Sequence, residues 1–318
     1  MPCRARWLLI VGALAIPSWC LAQVAQPAES VAERASEPPP AQPAASEAPE
    51  GERSPSYEAL AVVRPPPGTL REEERIGEYA QPRWTGRRRF PTTRIYVIPA
   101  GQLGLEYWLE QKLHLDDPDQ VRYRSLYELE MGLGHRLQLD VYLETQQEGH
   151  QGPWALHKEK LELRWALADW GVIPLNPTLY VELAREHGGP PVIELKALLG
   201  EQLAPRWHFG LNLVWEHQLG DAQQNETALT LAVAYGLVDE VFSLGAEIKA
   251  ETVDVKGQRY DFDNWELLAG PSLAWAPTPP MHILLVALLG DERELDAATG
   301  DGVHTPIFQP TLVVGFEL

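Results

Sequence analysis

From Gly101 onward the chain alternates apolar and polar residues with a period of two. Between Leu103 and Leu115 most odd positions are apolar, whereas the even positions include Glu106, Glu110 and Lys112. This period places alternate side chains on opposite faces of an extended strand, so the stretch predicts a strand with one apolar and one polar face. The pattern recurs along the rest of the chain and predicts about twelve strands.

The last predicted strand shows how these strands are arranged. Pro310 to Leu318 places Leu312, Val314, Phe316 and Leu318 on one face, and we expect it to pair with the first strand. An even number of strands with alternating short and long connections is typical of a bacterial barrel. The fold class predicted is therefore all-β, an antiparallel up-and-down transmembrane β-barrel.

Aromatic residues support a membrane location, because membrane barrels carry Trp and Tyr where the strands leave the bilayer. One strand end is predicted to carry Trp170, Trp207, Tyr235, Trp275 and Phe316, and the other Tyr123, Trp215 and Trp265. No stretch approaches the roughly 20 apolar residues that a spanning helix needs. We therefore expect the chain to cross the bacterial outer membrane with strands.

The region before the strands has a different composition. Residues 1–22 combine Arg4 and Arg6 with an apolar stretch and predict a signal peptide, which would also remove Cys3 and Cys20. Residues 23–90 are rich in Pro, Ala and Glu, which predicts a disordered periplasmic linker that ends in a basic segment. Residues 91–318 are predicted to form the barrel.

Charged residues on the polar face are expected to line the lumen. The candidates are Glu106, Glu110, Lys112, Glu128, Glu130, Arg136, Asp140, Glu162, Arg164, Glu182, Glu194, Lys196, Glu247, Lys249 and Glu251. Acids outnumber bases, which favours either a cation-selective passage or a network of ion pairs that fills a narrow interior.

The basic segment before the first strand has two interpretations. Arg83, Arg87, Arg88 and Arg89 could be drawn into the acidic lumen as a plug. The alternative is that they remain in the periplasm or contact anionic lipid headgroups. The sequence leaves both open.

Motifs for other chemistry are lacking in the sequence. No His stands beside a Ser in the manner of a lipase, no Cys-x-x-Cys-His is present, and the net charge of −19 disfavours nucleic-acid binding. We therefore predict no catalytic site, no metal site and no cofactor. The expected partners are outer-membrane lipid, the barrel-assembly machinery and an unidentified small solute.

In its strand pattern the chain resembles bacterial outer-membrane β-barrels of the porin and transporter-like group, including the transporter family assigned to the phenol meta-cleavage pathway. The resemblance covers about residues 103–318 and marks no functional residue. It implies a passive channel or transporter for small solutes. The alternatives are a closed scaffold barrel that holds a periplasmic partner through residues 23–90 and, third, an outer-membrane enzyme.

Overall fold

The computed structural model describes residues 70–220, 224–254, 264–296 and 299–318; the predicted signal peptide and most of the predicted linker lie outside these ranges. Long antiparallel strands, β1 to β12, form most of it. Their bounds are Leu103–His114, Val121–Gly134, Leu137–Glu148, Ala155–Ala166, Thr178–Glu186, Pro191–Ala204, Trp207–Gln218, Asn225–Val238, Phe242–Asp254, Trp265–Thr278, Met281–Leu295 and Gly302–Glu317. Among the described residues, no helix is long and apolar enough to span a bilayer.

The twelve strands form one closed barrel in which each strand pairs with its neighbour in sequence. The ring closes where β12 pairs with β1, with Phe316 opposite Leu105. At the end of this seam the Leu318 amide donates to the Leu103 carbonyl over 2.9 Å. This confirms the predicted antiparallel barrel and the pairing of its last strand with its first.

The outer surface of the barrel is apolar. Leu143, Leu161, Leu213 and Leu285 are among the many large apolar side chains that point away from the lumen and are exposed. Burying this much apolar surface requires a partner less polar than water. A closed barrel has no unpaired strand edge, so it satisfies its backbone hydrogen bonds inside a bilayer. The outer surface is therefore the lipid-facing surface of a membrane barrel.

We call the end that carries Leu103 and Leu318 the proximal end, and the opposite end the distal end. The proximal connections span residues 135–136, 167–177, 205–206, 239–241 and 279–280, and all but 167–177 are shorter than most distal ones. Trp207 and Tyr235 are half exposed there, with ring centroids 5.1 Å apart, as an interfacial girdle requires. Trp170 was wrongly predicted to belong to this girdle: it is buried inside the proximal end against Trp84.

Residues 70–102, here called the inner segment, precede β1 and lie within the proximal half of the barrel. They contain 3₁₀ turns at Arg71–Glu73 and Arg83–Thr85, and the two-residue strands Arg75–Ile76 and Gln81–Pro82, which pair with each other. The predicted linker boundary at residue 90 falls inside this segment. The basic segment, with Arg83 and Arg87 to Arg89, belongs to this inner segment and is surrounded by the barrel wall.

Candidate functional site

Apolar side chains fix the inner segment against the barrel wall. Trp84, Phe90, Ile95 and Tyr96 are buried and cluster with Trp170 of the β4–β5 connection. Trp84 packs edge to face on Trp170 at 5.7 Å between ring centroids, and Tyr96 does so at 5.2 Å. Such pairs contribute beyond their buried area, by about 0.5–1.5 kcal/mol each. The segment is therefore held by packing as well as by charge.

The β8–β9 turn holds the segment at the proximal mouth. The Asp239 carboxylate accepts from the backbone amides of Arg71 and Glu72, at 2.8 and 3.0 Å. The Glu240 carboxylate lies 3.1 Å from the Arg83 guanidinium. Two adjacent acids thus bind both the start of the inner segment and its second 3₁₀ turn.

Deeper in the lumen, Arg88 lies between two carboxylates and an aromatic ring. Its Nε donates to Glu106 over 2.7 Å, and its Nη2 donates to Glu128 over 3.1 Å. The guanidinium carbon lies 4.1 Å from the centre of the Trp108 ring. The Trp108 indole N–H faces both carboxylates at 3.2 Å. These residues form a pocket shaped around a planar cation.

A second group of buried charges lies beside this pocket. The Arg94 guanidinium pairs with Glu128 and lies 2.7 Å from Glu130. On the barrel wall, Arg164 pairs with Glu162 and lies 2.8 Å from Asp140. Buried ions are strongly destabilising unless paired. Arginines from the segment and from the wall together satisfy these carboxylates.

The opposite wall holds the segment through hydrogen bonds from Thr92 and Thr93. Thr92 donates from its backbone amide to Glu247 over 2.8 Å, and the Thr93 and Thr230 hydroxyls are 3.0 Å apart. Thr230 lies near the middle of β8, so the segment reaches about halfway through the barrel.

A buried ion pair joins the segment's first turn to its basic stretch. The Glu72 carboxylate lies 3.5 Å from the Arg89 guanidinium and 3.6 Å from His208 of β7. Burial raises the pKa of the Glu72 carboxyl, an effect that Arg89 partly opposes. Burial also lowers the pKa of the Arg89 guanidinium to about 10, with Glu72 opposing this shift. Docking therefore depends on two groups that are both costly to bury in their charged forms.

The space around the inner segment is nearly filled. Two cavities that border Arg87 to Arg89 measure about 10 and 20 Å³. A site needs roughly 10–15 Å³ to hold one water. A larger cavity of about 400 Å³ lies near the distal end, where Lys112, His114 and Glu148 contribute to its lining. The two cavities beside Arg87 to Arg89 are therefore too small for a solute larger than water.

A row of carboxylates crosses the lumen wall. On seven consecutive strands, β2 to β8, residues that lie directly opposite one another on the inner face are all acidic. They are Glu130, Asp140, Glu162, Glu182, Glu194, Glu216 and Glu226. Because barrel strands are tilted, a row perpendicular to them climbs along the axis. It runs from the inner segment at Glu130 to the distal mouth at Glu226.

Basic residues lie beside this row and in the distal half. Lys196 lies 2.7 Å from Glu194, while Lys160 lies 3.5 Å from Glu182. On the far wall, Lys112 bridges Glu266 and Glu292 at 2.7 and 2.8 Å. Like charges directly opposite one another destabilise a sheet. The lysines offset this repulsion between the carboxylates.

Most of the residues selected from the sequence lie where the alternation placed them. All the lumen candidates named above except Arg136 lie on inner-facing strand positions. Arg136 lies in the β2–β3 turn and pairs with Asp169 at 3.1 Å. Arg88 and Arg89 lie inside the lumen, whereas Arg83 and Arg87 face Glu240 near the proximal mouth.

Other residues of the site were not selected from the sequence. Arg94 lies beyond the boundary set at residue 90, although it follows Arg87 to Arg89 closely. Trp108 stands at an even position among charged residues of β1, which was a visible sign that it faces inward. Glu226 could be assigned to the acidic row only from the strand register.

Comparison with known proteins adds a likeness of fold. No protein-family model matches the chain, and no curated protein matches it by sequence. Among solved structures, a NanC porin shares 11% identity over 67% of this chain and 100% of its own, with a TM-score of 0.49. An outer-membrane channel from Pseudomonas putida F1 shares 13% identity over 70% of this chain and 98% of its own, with a TM-score of 0.44.

A KdgM porin in complex with disordered oligogalacturonate shares 8% identity over 67% of this chain and 98% of its own, with a TM-score of 0.44. Likeness at this level carries no information about the solute. The closed twelve-strand barrel and its apolar outer surface are themselves the architecture of porin-like outer-membrane proteins.

Proposed function

We propose that this chain is an outer-membrane channel for small solutes in which the inner segment is a plug. The proximal end faces the periplasm. The observation that carries the proposal is the binding of Arg88 and Arg94 to Glu106, Glu128 and Glu130 inside the lumen. Withdrawal of the segment would vacate the proximal half, so that solutes entering along the carboxylate row could pass through the barrel.

The charge of the row gives the channel a direction of selectivity. A lumen lined mainly by carboxylates raises the local concentration of cations. Once Arg88 and Arg94 leave, the acidic excess in the proximal half increases. We therefore expect the open state to prefer cations over anions.

A disulfide between the segment and the wall tests this proposal. The hydroxyls of Thr93 and Thr230 are 3.0 Å apart, so the T93C/T230C pair is close enough to be linked. The chain's two cysteines, Cys3 and Cys20, both lie in the predicted signal peptide. In planar bilayers, the oxidised variant should conduct poorly and a reducing agent should increase the current. The single variants T93C and T230C should not respond to the reducing agent.

The filled proximal half also favours the second candidate, a permanently closed scaffold barrel. A scaffold would show no current in either redox state, and none after the plug arginines are removed as R88A/R94A. Equal and substantial currents in the oxidised and reduced forms would instead show that solutes pass without displacing the segment. That outcome would overturn the plug.

A further inference from the structure

We propose that the pocket around Arg88 is a solute-binding site for guanidinium-bearing molecules, and that the plug closes the pore by occupying it as a solute would. This inference rests on the proposed channel function. Its basis is that a cation is already bound there: the Arg88 side chain, contributed by a segment outside the barrel strands.

The wall residues form a complete recognition site without the plug. Glu106 and Glu128 supply two carboxylates from the barrel wall, and Trp108 supplies an aromatic face. Tyr142 donates to Glu128 over 2.8 Å, and His282 lies 3.1 Å from Glu106. Together with the Trp108 indole N–H, these groups fix the orientation of both carboxylates. The site is therefore preorganised by the barrel itself.

The geometry selects a particular kind of cation. A planar, delocalised cation can stack on Trp108 while donating in its own plane to two carboxylates, which a hydrated metal ion cannot do. The carboxylate row also leads from the distal mouth to Glu130, which lies beside this pocket and is bound to the neighbouring Arg94. A cationic solute arriving along the row would reach the position that Arg88 now holds and would compete with it.

The test vacates the pocket and offers it a matched pair of solutes. The full-length R88A/R94A variant is placed in planar bilayers with L-argininamide or with L-citrullinamide, in which a neutral urea replaces the guanidinium. Argininamide should reduce the ionic current in a concentration-dependent manner, and citrullinamide should not. Adding W108L should weaken the block about tenfold, since the desolvated cation loses the aromatic face on which it stacks.

Two controls separate the site from the general charge of the lumen. E251Q removes a distal lumen carboxylate and should weaken the block much less than W108L, which changes no charge. R75A removes an arginine that donates to the Ala80 carbonyl of its own segment, and it should neither open the pore nor create a block by argininamide. Heat-dependent migration on denaturing gels verifies that each variant forms a barrel.

The outcomes distinguish this inference from the proposed function. If R88A/R94A conducts but the two amides act alike, the site is overturned and the channel stands. If R88A/R94A and reduced T93C/T230C both fail to conduct, the channel is overturned. Calorimetric titration of detergent-solubilised R88A/R94A then still decides the site, since equal heats from the two amides would refute a guanidinium pocket.

Discussion

Gly200 on β6 and Gly210 on β7 lie directly opposite each other on the inner face and together leave a recess that Ile95 fills. A methyl group added at Gly200 would come within 1.8 Å of the Ile95 side chain, and one at Gly210 within 2.9 Å of Thr93. Only the absence of both side chains lets the inner segment approach this wall. The two glycines therefore determine where the segment docks.

Gly200→Val is expected to displace residues 93–95 and loosen the segment without disrupting the strand pairing. Trypsin should then cleave after Arg94 faster than in the parent, and the current in planar bilayers should increase. Leu211→Val alters the neighbouring outer face and should leave both readouts unchanged. An unchanged cleavage rate in Gly200→Val would show that docking does not depend on this recess.

Arg164→Met is expected to destabilise the barrel strongly. Arg164 is almost fully buried and lies 2.8 Å from Asp140. Removing one partner of a buried ion pair typically costs about 3–5 kcal/mol, because the remaining carboxylates are left uncompensated. The free energy of unfolding can be measured from urea titrations followed by tryptophan fluorescence.

Arg136→Ala is the matched control for that measurement. Its ion pair with Asp169 is partly exposed, with side-chain exposures of 35% and 46%, and solvent-exposed pairs contribute about 0–1 kcal/mol. If the two variants lost equal stability, the buried charge cluster would not be a stabilising part of the lumen.

Leu213→Arg tests the lipid-facing assignment of the outer surface. Leu213 is 47% exposed and lies in the middle of β7. An arginine facing the middle of the bilayer costs about 2–4 kcal/mol, and one near an interface about 0–1 kcal/mol. Leu219→Arg, at the distal end, should therefore have a much smaller effect when refolding into vesicles is titrated with urea. If Leu213→Arg and Leu219→Arg lowered the free energy of unfolding by the same amount, the bilayer would not be centred on the middle of these strands.

Docking of the inner segment is expected to weaken as the pH rises, because of Glu72. Burial raises the pKa of this carboxyl, with Arg89 opposing. The docked form therefore holds its proton more tightly than the free form. The contribution of Glu72 is fully present below the usual glutamate range and is lost as the pH rises through the raised pKa.

Glu72→Gln should remove this pH dependence and keep the segment docked as the pH rises. Deuterium uptake of residues 70–102, corrected for intrinsic exchange rates, measures the docking at each pH. Glu73→Gln is the control. Glu73 follows Glu72 in the chain and accepts a hydrogen bond from Gln202. A pH profile that is the same in Glu72→Gln as in the parent would contradict this assignment.

The alternation of the sequence was sufficient to predict the wall of the barrel. A period of two assigns each residue to a face, so Glu162 and Leu161 could be separated without coordinates. The position of the inner segment could not be predicted this way. Its docking depends on a recess between Gly200 and Gly210 and on carboxylates from separate strands, and neither is periodic. Trp170 was misassigned for the same reason, since its contact with Trp84 joins residues far apart in the chain.

The path of the inner segment determines what its removal would require. Near its start the Arg71 amide donates to the β8–β9 turn, and near its end the Gly101 amide donates to the Gly132 carbonyl, so both ends of the segment lie at the proximal mouth. It enters and leaves the barrel at the same mouth, so no part of it runs from one mouth to the other. The barrel can therefore close before the segment enters, and withdrawal breaks no pairing between β1 and β12. For residues 70–102, insertion and removal require no threading through the barrel, and the contacts inside the lumen oppose withdrawal.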